Sequence, residues 1–134
     1  LRFMNIAFFL TPKANVCHML STISIAKGID ILRECGYTAV PVIDKSGAYI
    51  GVASEGDFLW HLLDAGGKKV ESVGEIINKD KYRAVPITAT MDELLDQALA
   101  QNFVPVVDDR GLFMGIVTRK DIIKNMIKTA HEAK

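Results

Sequence analysis

Short apolar runs alternate with longer stretches of mixed polarity along the chain. A β-branched run around Pro41 predicts a buried strand, residues 44–47 predict a turn, and residues 49–53 predict the returning strand. Residues 57–63 then mix apolar and polar positions as an amphipathic helix does. The pattern therefore predicts a β-hairpin that runs into a helix.

The same pattern occurs a second time. Pro41 recurs as Pro105, Gly51 as Gly115 and Asp57 as Asp121, always 64 positions later. The second copy predicts strands at 104–107 and 112–117, a turn at 108–111 and a helix over 120–127. Agreement in one register without a gap indicates an internal duplication.

A further helix precedes each hairpin. Ser24 is a predicted N-cap and Gly36 a predicted stop for the first, and Thr90 with Glu93 forms a predicted capping box for the second. Short apolar segments at 16–20 and 84–87 come before these helices and predict one more strand in each copy. The repeat unit is therefore β-α-β-β-α, which is an α+β fold. Because proline lacks a backbone donor, we expect Pro41 and Pro105 at the start or the edge of a strand.

The remaining segments are connectors. Residues 1–10 are apolar but too short to span a bilayer, and Thr11-Pro12-Lys13 is interpreted as the end of this stretch. We expect residues 1–10 to form a helix docked on a core or on a dimer surface. Residues 65–69 predict an exposed turn, and residues 73–77 a short helix. We divide the chain into residues 1–68 and 69–134, the two halves of one integrated module. The opening Leu1 favours an excised piece of a longer chain, with Met4 as a candidate native start.

Composition and charge narrow the functional classes. The chain is 49% hydrophobic and 24% charged, and its 16 basic and 16 acidic residues give a net charge of zero. No overall field would attract nucleic acid or an anionic membrane, so we predict neither as a partner. Cys17 and Cys35 lack zinc-type spacing and are too few for a disulfide framework, which favours a reducing compartment and predicts a cytoplasmic protein.

No catalytic or metal-binding constellation is found in the sequence. Cys17 and His18 cannot form a nucleophile–base pair on a strand, because consecutive side chains point to opposite faces. His18 and His61 have no plausible ligand set around them and are interpreted as structural or surface residues. The common nucleotide-hydrolase, dehydrogenase and protease motifs are absent from the sequence. We therefore predict neither enzymatic activity nor a bound cofactor or metal.

The duplicated motif resembles a known family. A helix followed by Gly-Tyr-Thr-Ala-Val-Pro-Val, a turn, and then Gly-hydrophobic-x-Ser/Thr-x-x-Asp at a helix start resembles the CBS motif, and its pairing resembles the Bateman module, over roughly residues 8–130. The N-terminal stretch, residues 36–41, the shortened segment 102–104 and residues 115–120 are similar to small stand-alone bacterial CBS proteins that bind cyclic-di-AMP. The resemblance implies two motifs packed around a pseudo-twofold axis, with two clefts between them.

The resemblance also implies which residues line each cleft. The first cleft would contain Asn15, Val16, Cys17, Tyr37, Thr38, Ala39, Val40, Pro41, Thr118, Arg119, Lys120 and Asp121. The second, weaker cleft would contain Ser54, Asp57, Pro86, Ile87, Thr88, Asn102, Phe103 and Val104.

Physical chemistry favours the first cleft for a nucleotide. A carboxylate at a helix start can accept ribose hydroxyls, a hydroxyl and free helix N–H groups can hold oxygen atoms, and a cation stabilises phosphate. Asp121, Thr118 and Arg119 with Lys120 supply these groups, and the planar guanidinium makes Arg119 the stronger phosphate candidate. In the other copy, Glu55 would repel phosphate, and the segment matching the Gly-Tyr-Thr-Ala shelf is two residues shorter.

Plainer interpretations remain open at several positions. Thr118 and Ser54 are also good N-caps, Lys124 and Lys128 could form a solvated helix face, and the Tyr37 ring could pack in the core instead of stacking on a base. Asn15 stands where the cyclic-di-AMP-binding relatives tend to carry lysine, so AMP, ADP, ATP and S-adenosylmethionine also stay open.

These residues favour a non-enzymatic sensor. An adenine nucleotide would bind between the motifs and alter affinity for an unknown target protein. The resemblance implies a homodimer through exposed helices, with which the apolar Ile122, Ile123, Met126 and Ile127 are compatible. The rival hypotheses are a ligand-free structural or dimerisation module and a regulatory piece of a larger enzyme or transporter.

Overall fold

The computed structural model describes residues 5–64 and 70–132, with side chains as far as residue 128. Within these residues the fold is α+β, and it falls into two compact units. One unit is residues 17–82, which hold the first motif. The other joins residues 5–16 to the second motif, residues 83–132. The α+β class predicted from the sequence is confirmed.

The described elements follow one another in the order that the repeat predicts. The strands are β1 (Thr11–Pro12), β2 (Met19–Leu20), β3 (Ala39–Ile43), β4 (Tyr49–Ser54), β5 (Val85–Pro86), β6 (Phe103–Val107) and β7 (Phe113–Thr118). The α-helices are α1 (Ile25–Cys35), α2 (Glu55–Leu63), α3 (Met91–Ala100) and α4 (Arg119–Glu132). Short 3-10 helices cover Ile6–Phe9, Lys13–Asn15 and Val73–Glu75.

The unit of residues 17–82 is built on a three-stranded sheet in the order β2-β3-β4. Strand β2 is parallel to β3, and β3 is antiparallel to β4. The predicted ends of α1 are confirmed, because the Ser24 hydroxyl accepts from the Lys27 N–H at 3.1 Å and Gly36 adopts a left-handed φ of 72°. Val73 and Ile77 complete the apolar core beneath the sheet.

The unit containing the second motif has a four-stranded sheet in the order β1-β7-β6-β5. The predicted capping box of α3 is confirmed, since Thr90 and Glu93 each accept from the other's backbone N–H. Ile6 and Phe9, from the N-terminal segment, lie in the core of this unit and are 0% and 2% exposed. The described part of the predicted N-terminal helix is thus one 3-10 turn docked on a core, as expected.

The two hairpins share the same irregularity. In the first, the register shifts between Val42 and Ile43, and in the second it shifts between Val106 and Val107. Each shift is a β-bulge, which inserts one extra residue into one strand of the pair. Because the bulges occupy equivalent positions, the duplication read from the sequence extends to the backbone.

The prediction for the two prolines was wrong. Pro41 and Pro105 are buried in the middle of β3 and β6, which are interior strands of their sheets. Their neighbours explain this, because β2 pairs only with Val42 and Ile43, and β5 only with Val106 and Val107. Each proline lies one residue before the paired stretch of β2 or β5 begins. The backbone N–H that proline lacks is therefore not needed for pairing with that parallel strand.

The N-terminal segment differs from expectation in a second way. Thr11 and Pro12, expected to end the apolar stretch, instead form β1 and pair antiparallel with Ile116 and Gly115 of β7. A Cβ on Gly115 would collide with the Thr11 carbonyl oxygen, so glycine is required for this close approach.

The compact units do not follow the division at residues 68 and 69, because residues 5–16 pack with the second motif. The predicted turn at 65–69 lies outside the described residues.

Both hairpin turns are closed by an aspartate. The Asp44 carboxylate accepts from the backbone N–H groups of Ser46 and Ala48, and that of Asp108 from those of Arg110 and Leu112. Hydrogen bonds to the charged form hold both pKa values below the ordinary value; the largest cause is the Ser46 hydroxyl for Asp44 and the Leu112 N–H for Asp108.

These turns predict a pH dependence of stability. A folded-state pKa below the unfolded one means that ionisation favours folding, so the contribution is present above about pH 4 and is lost as the pH falls through the folded value. The double variant Asp44→Asn, Asp108→Asn keeps the turn acceptors but cannot ionise there. We expect denaturant titrations to show wild type more stable than the variant at pH 7 and the difference to shrink below pH 4. An equal difference at every pH would contradict the assignment.

Candidate functional site

The start of α4 carries a compact group of oxygen atoms. The Thr118 hydroxyl accepts from the Asp121 backbone N–H at 3.0 Å, as an N-cap does. The Asp121 carboxylate accepts from the Thr11 hydroxyl at 3.2 Å, across the β1–β7 pair. Asp121 and Thr118 are half-buried, and Asn15 sits in a 3-10 helix that lies against β7. The structure thus brings these predicted residues into one unit, together with Thr11, which sequence reasoning missed.

The equivalent group at the start of α2 is arranged differently. The Asp57 carboxylate accepts from the Ser54 backbone N–H at 2.8 Å and from the Ser54 hydroxyl at 2.9 Å. The Ser54 hydroxyl in turn accepts from the Asp57 N–H at 3.2 Å, which completes a capping box. The capping interpretation is therefore confirmed for both copies. Asp57 is folded back onto its own helix start, whereas Asp121 is directed to the N-terminal segment.

Arg119 contacts the end of a neighbouring helix. Its Nε donates to the Ala98 carbonyl oxygen at 2.6 Å, and an Nη2 hydrogen bond of 3.2 Å reaches the Leu99 carbonyl oxygen. These are last-turn carbonyls of α3, where a cation is favoured by the helix dipole. The Arg119 guanidinium, which was predicted to bind phosphate, therefore caps the end of α3 in this unit. Lys120 beside it is exposed.

The first motif supplies the other half of the predicted first cleft. Gly36, Tyr37 and Thr38 are exposed after α1, and the Thr38 carbonyl oxygen accepts from the Glu55 N–H at 2.9 Å. Tyr37 is 65% exposed, which favours an available ring over a core residue. Ala39 is half-buried, while Val40 and Pro41 are buried. Val40 belongs to the core of its unit, so its side chain serves packing and only its backbone is open to a ligand role.

The remaining residues of the predicted second cleft also divide into buried core residues and exposed polar residues. Val104 is 0% exposed in a core, and Ile87 packs partly buried against that core. Thr88 and Asn102 are exposed, and Phe103 is half-buried. The described polar side chains of this group are thus peripheral, and its apolar members serve the fold.

The cysteines require a correction. Cys17 and Cys35 form a disulfide, with their Cα atoms 6.3 Å apart, whereas the sequence interpretation set them aside as too few for a disulfide framework. They are 18 positions apart in the sequence, and only the folding of α1 against the segment before β2 brings them together. The prediction of a cytoplasmic protein was based on the absence of a disulfide framework. The cysteines no longer support it, and it stays a prediction.

No group of three or more histidine, cysteine, aspartate or glutamate side chains within the described ranges is placed to hold a metal ion. Among the helices of the described part of the chain, none has both the length and the apolar character needed to cross a bilayer.

The fold and the two helix-start groups define a paired-motif module in which each copy presents a hydroxyl and a carboxylate at the start of its last helix. Comparison with known proteins gives the family. The model of the CBS domain matches residues 15–64 and 73–128, and the chain belongs to the CBS domain family.

Similar modules occur as a part of a longer enzyme and in chains of about the same length as this one. Inosine-5'-monophosphate dehydrogenase of Nitrosopumilus maritimus is 29% identical over 104 residues, which are 76% of this chain and 20% of that enzyme. The chain thus spans about a fifth of that relative's length. Among solved structures, CbpB in complex with c-di-AMP aligns with a TM-score of 0.89 at 24% identity, covering 98% of this chain and 89% of that one. CBSX2 in complex with AMP aligns at 0.76 and 23% identity, covering 94% and 98%. At these identities the likeness is one of fold.

The Arg119 contacts predict a stability effect that does not depend on any ligand. Removing the side chain leaves the last carbonyls of α3 without their charged donor, so Arg119→Ala should lower the free energy of unfolding by about 1 kcal/mol. The matched control is Lys120→Ala, an adjacent exposed cation, which should stay within about 0.5 kcal/mol of wild type. Urea titrations measure both values. Equal effects would contradict a capping role for Arg119.

Proposed function

We propose that this chain is a non-enzymatic regulatory module that binds an adenine nucleotide through the residues predicted for the first cleft. The observation that carries the proposal is the Asp121 carboxylate, held at the start of α4 beside the Thr118 and Thr11 hydroxyls. A carboxylate fixed in this way can accept both hydroxyls of a ribose. The positive end of the α4 helix dipole and the exposed Lys120 suit a phosphate.

The relatives support the nature of the ligand. CbpB is described in complex with c-di-AMP and CBSX2 in complex with AMP, so two proteins of this fold take adenine nucleotides. The exposed Tyr37 ring offers a flat surface for the base. We therefore propose base contacts for Tyr37 and Thr38 and ribose contacts for Asp121, each on its own motif, and AMP and cyclic-di-AMP are the leading ligands.

Regulation requires that the ligand discriminate between two arrangements of the module. A ligand that bound both arrangements equally would shift nothing, however tightly it bound. We propose that the nucleotide favours one arrangement and so changes the affinity for a target protein. The dehydrogenase match favours a second possibility for the same chemistry, in which the module is the regulatory part of a longer protein.

A ligand screen tests the proposal directly. We expect AMP or cyclic-di-AMP at 100 times its Kd to stabilise the protein by about 3 kcal/mol, and so to raise the melting temperature by several degrees. ATP and S-adenosylmethionine complete the set. Asp121→Asn should weaken binding about tenfold or more, because the amide cannot accept both ribose hydroxyls as a carboxylate does.

The matched control is Asp57→Asn, the same substitution at the equivalent position of the first copy. Its carboxylate already caps its own helix, so we expect lower stability and an unchanged affinity measured by calorimetry. If none of the four ligands binds the wild-type protein, the ligand-free structural module becomes the better account.

We also propose a homodimer built on the helical faces. Large apolar side chains are exposed on helices of both motifs: Leu59, Leu62 and Leu63 on α2, Leu99 on α3, and Ile123 and Ile127 on α4. Leu99 is the most exposed of these side chains, at 82%. Leu99 and Ile123 line one apolar surface within their unit, and Leu59 and Leu62 line another within theirs. Exposed apolar surface of this kind marks an interface. A second copy of the chain is the partner that would present an equivalent surface, as the isologous interfaces of homodimers do.

Sedimentation velocity tests the dimer. We expect wild type to sediment as a dimer and Leu99→Asp to sediment as a monomer, because a buried unpaired carboxylate opposes association. Lys45→Asp adds the same group in an exposed turn and should leave the dimer intact. A monomeric wild type, or a dimer that survives Leu99→Asp, would argue against this interface.

A further inference from the structure

The disulfide joins two segments that the proposed nucleotide site uses. Cys35 is the last residue of α1, and the exposed residues Gly36, Tyr37 and Thr38 follow it directly. Cys17 follows Asn15 and Val16 in the chain and precedes β2. Both cysteines belong to one compact unit, and both are only half-buried. Neither cysteine is fully buried, which is what exchange with a dissolved thiol requires.

The polypeptide around Tyr37 is held on both sides. After it, the Thr38 carbonyl oxygen accepts from the Glu55 N–H at 2.9 Å and Ala39 begins β3. Before it, Gly36 directly follows Cys35, the last residue of α1. The disulfide joins this end of α1 to Cys17 in the segment before β2. The Gly36 N–H bond to the Leu32 carbonyl oxygen is the helix's own contribution at this end, at 3.2 Å. Opening the disulfide removes the covalent tie and leaves these hydrogen bonds in place.

We propose that Cys17–Cys35 is a redox site that sets the affinity of the nucleotide site, an inference that rests on the proposed function. In the oxidised form, the bond preorganises the Tyr37–Thr38 turn against the Cys17 segment. Preorganisation strengthens binding because less conformational freedom is lost when the ligand arrives. In the reduced form, the turn and the Cys17 segment fluctuate separately, and affinity falls.

The chemical step is thiol–disulfide exchange with a dithiol. A thiolate of the dithiol attacks one of the two sulfurs, which forms a mixed disulfide and releases the other cysteine as a thiolate that takes up a proton. The second thiol of the dithiol then attacks the mixed disulfide and leaves as part of an oxidised dithiol. The protein gains two electrons and two protons, and the dithiol loses the same. An oxidised dithiol of suitable potential reverses the step.

A single disulfide differs from the multi-bond frameworks of small secreted domains. In a compartment that keeps thiols reduced, disulfides tend to be transient and redox-sensing, whereas structural frameworks use several bonds in small secreted domains. This chain has one cysteine pair. Neither cysteine is among the fully buried core residues, although Cys17 packs against the core of its unit. The module therefore has apolar packing to remain folded when the bond opens.

The experiment uses the full chain in two redox states. Mass spectrometry after alkylation of free thiols first counts reactive thiols before and after dithiothreitol, with two expected only after reduction. Calorimetry with AMP and with cyclic-di-AMP then gives the affinity of each state. We expect the oxidised form to bind the preferred nucleotide about tenfold more tightly and re-oxidation to restore that affinity.

Variants separate the switch from simple loss of fold. Cys17→Ser, Cys35→Ser and the double variant should all bind like the reduced wild type, and dithiothreitol should change none of them. Cys35→Ala is the second choice if a serine variant does not fold, with circular dichroism as the check. Equal affinities in the two states, tighter binding by the reduced form, or a dithiothreitol effect that persists in the double variant would each overturn the inference. Absence of binding in both states would instead count against the proposed function itself.

Discussion

Docking of the N-terminal segment on the second motif is the interaction on which the structure most depends. Ile6 and Phe9 fill the core of that unit, and β1 adds an edge strand to β7. The same segment delivers Thr11 to Asp121. One local arrangement thus closes a core, extends a sheet and orients the carboxylate at the start of α4. Gly115 makes it possible, because any side chain there would meet the Thr11 carbonyl oxygen.

The two copies show how a duplicated backbone acquires unequal chemistry. Their hairpins share even the position of the bulge, and both last helices start with a hydroxyl N-cap. They differ in the neighbour available to the carboxylate. Asp57 satisfies its own helix start, while Asp121 is drawn to a residue from the far end of the sequence. A repeat therefore does not imply two equal sites.

Local signals account for what the sequence predicted well. The duplication, both ends of α1 and the capping box of α3 are encoded within a few residues of where they appear, and all were confirmed. The errors involve partners distant in the chain. Thr11 precedes a proline and so favours an extended conformation, a signal that was available but was interpreted as a stop. The burial of Pro41 depends on how far the parallel strand β2 reaches, which sequence cannot give. The Arg119 cap and the Cys17–Cys35 bond depend on tertiary contacts of the same kind.

The discontinuous unit has a consequence for synthesis on the ribosome. Residues 17–82 emerge together and can fold as soon as they are clear of the exit tunnel. Residues 5–16 emerge before them but find their sheet and their core only after residues 83–128 have been translated. For that interval Ile6 and Phe9 lack the core in which they are buried in the folded unit, so residues 5–16 expose apolar side chains until the second motif is complete.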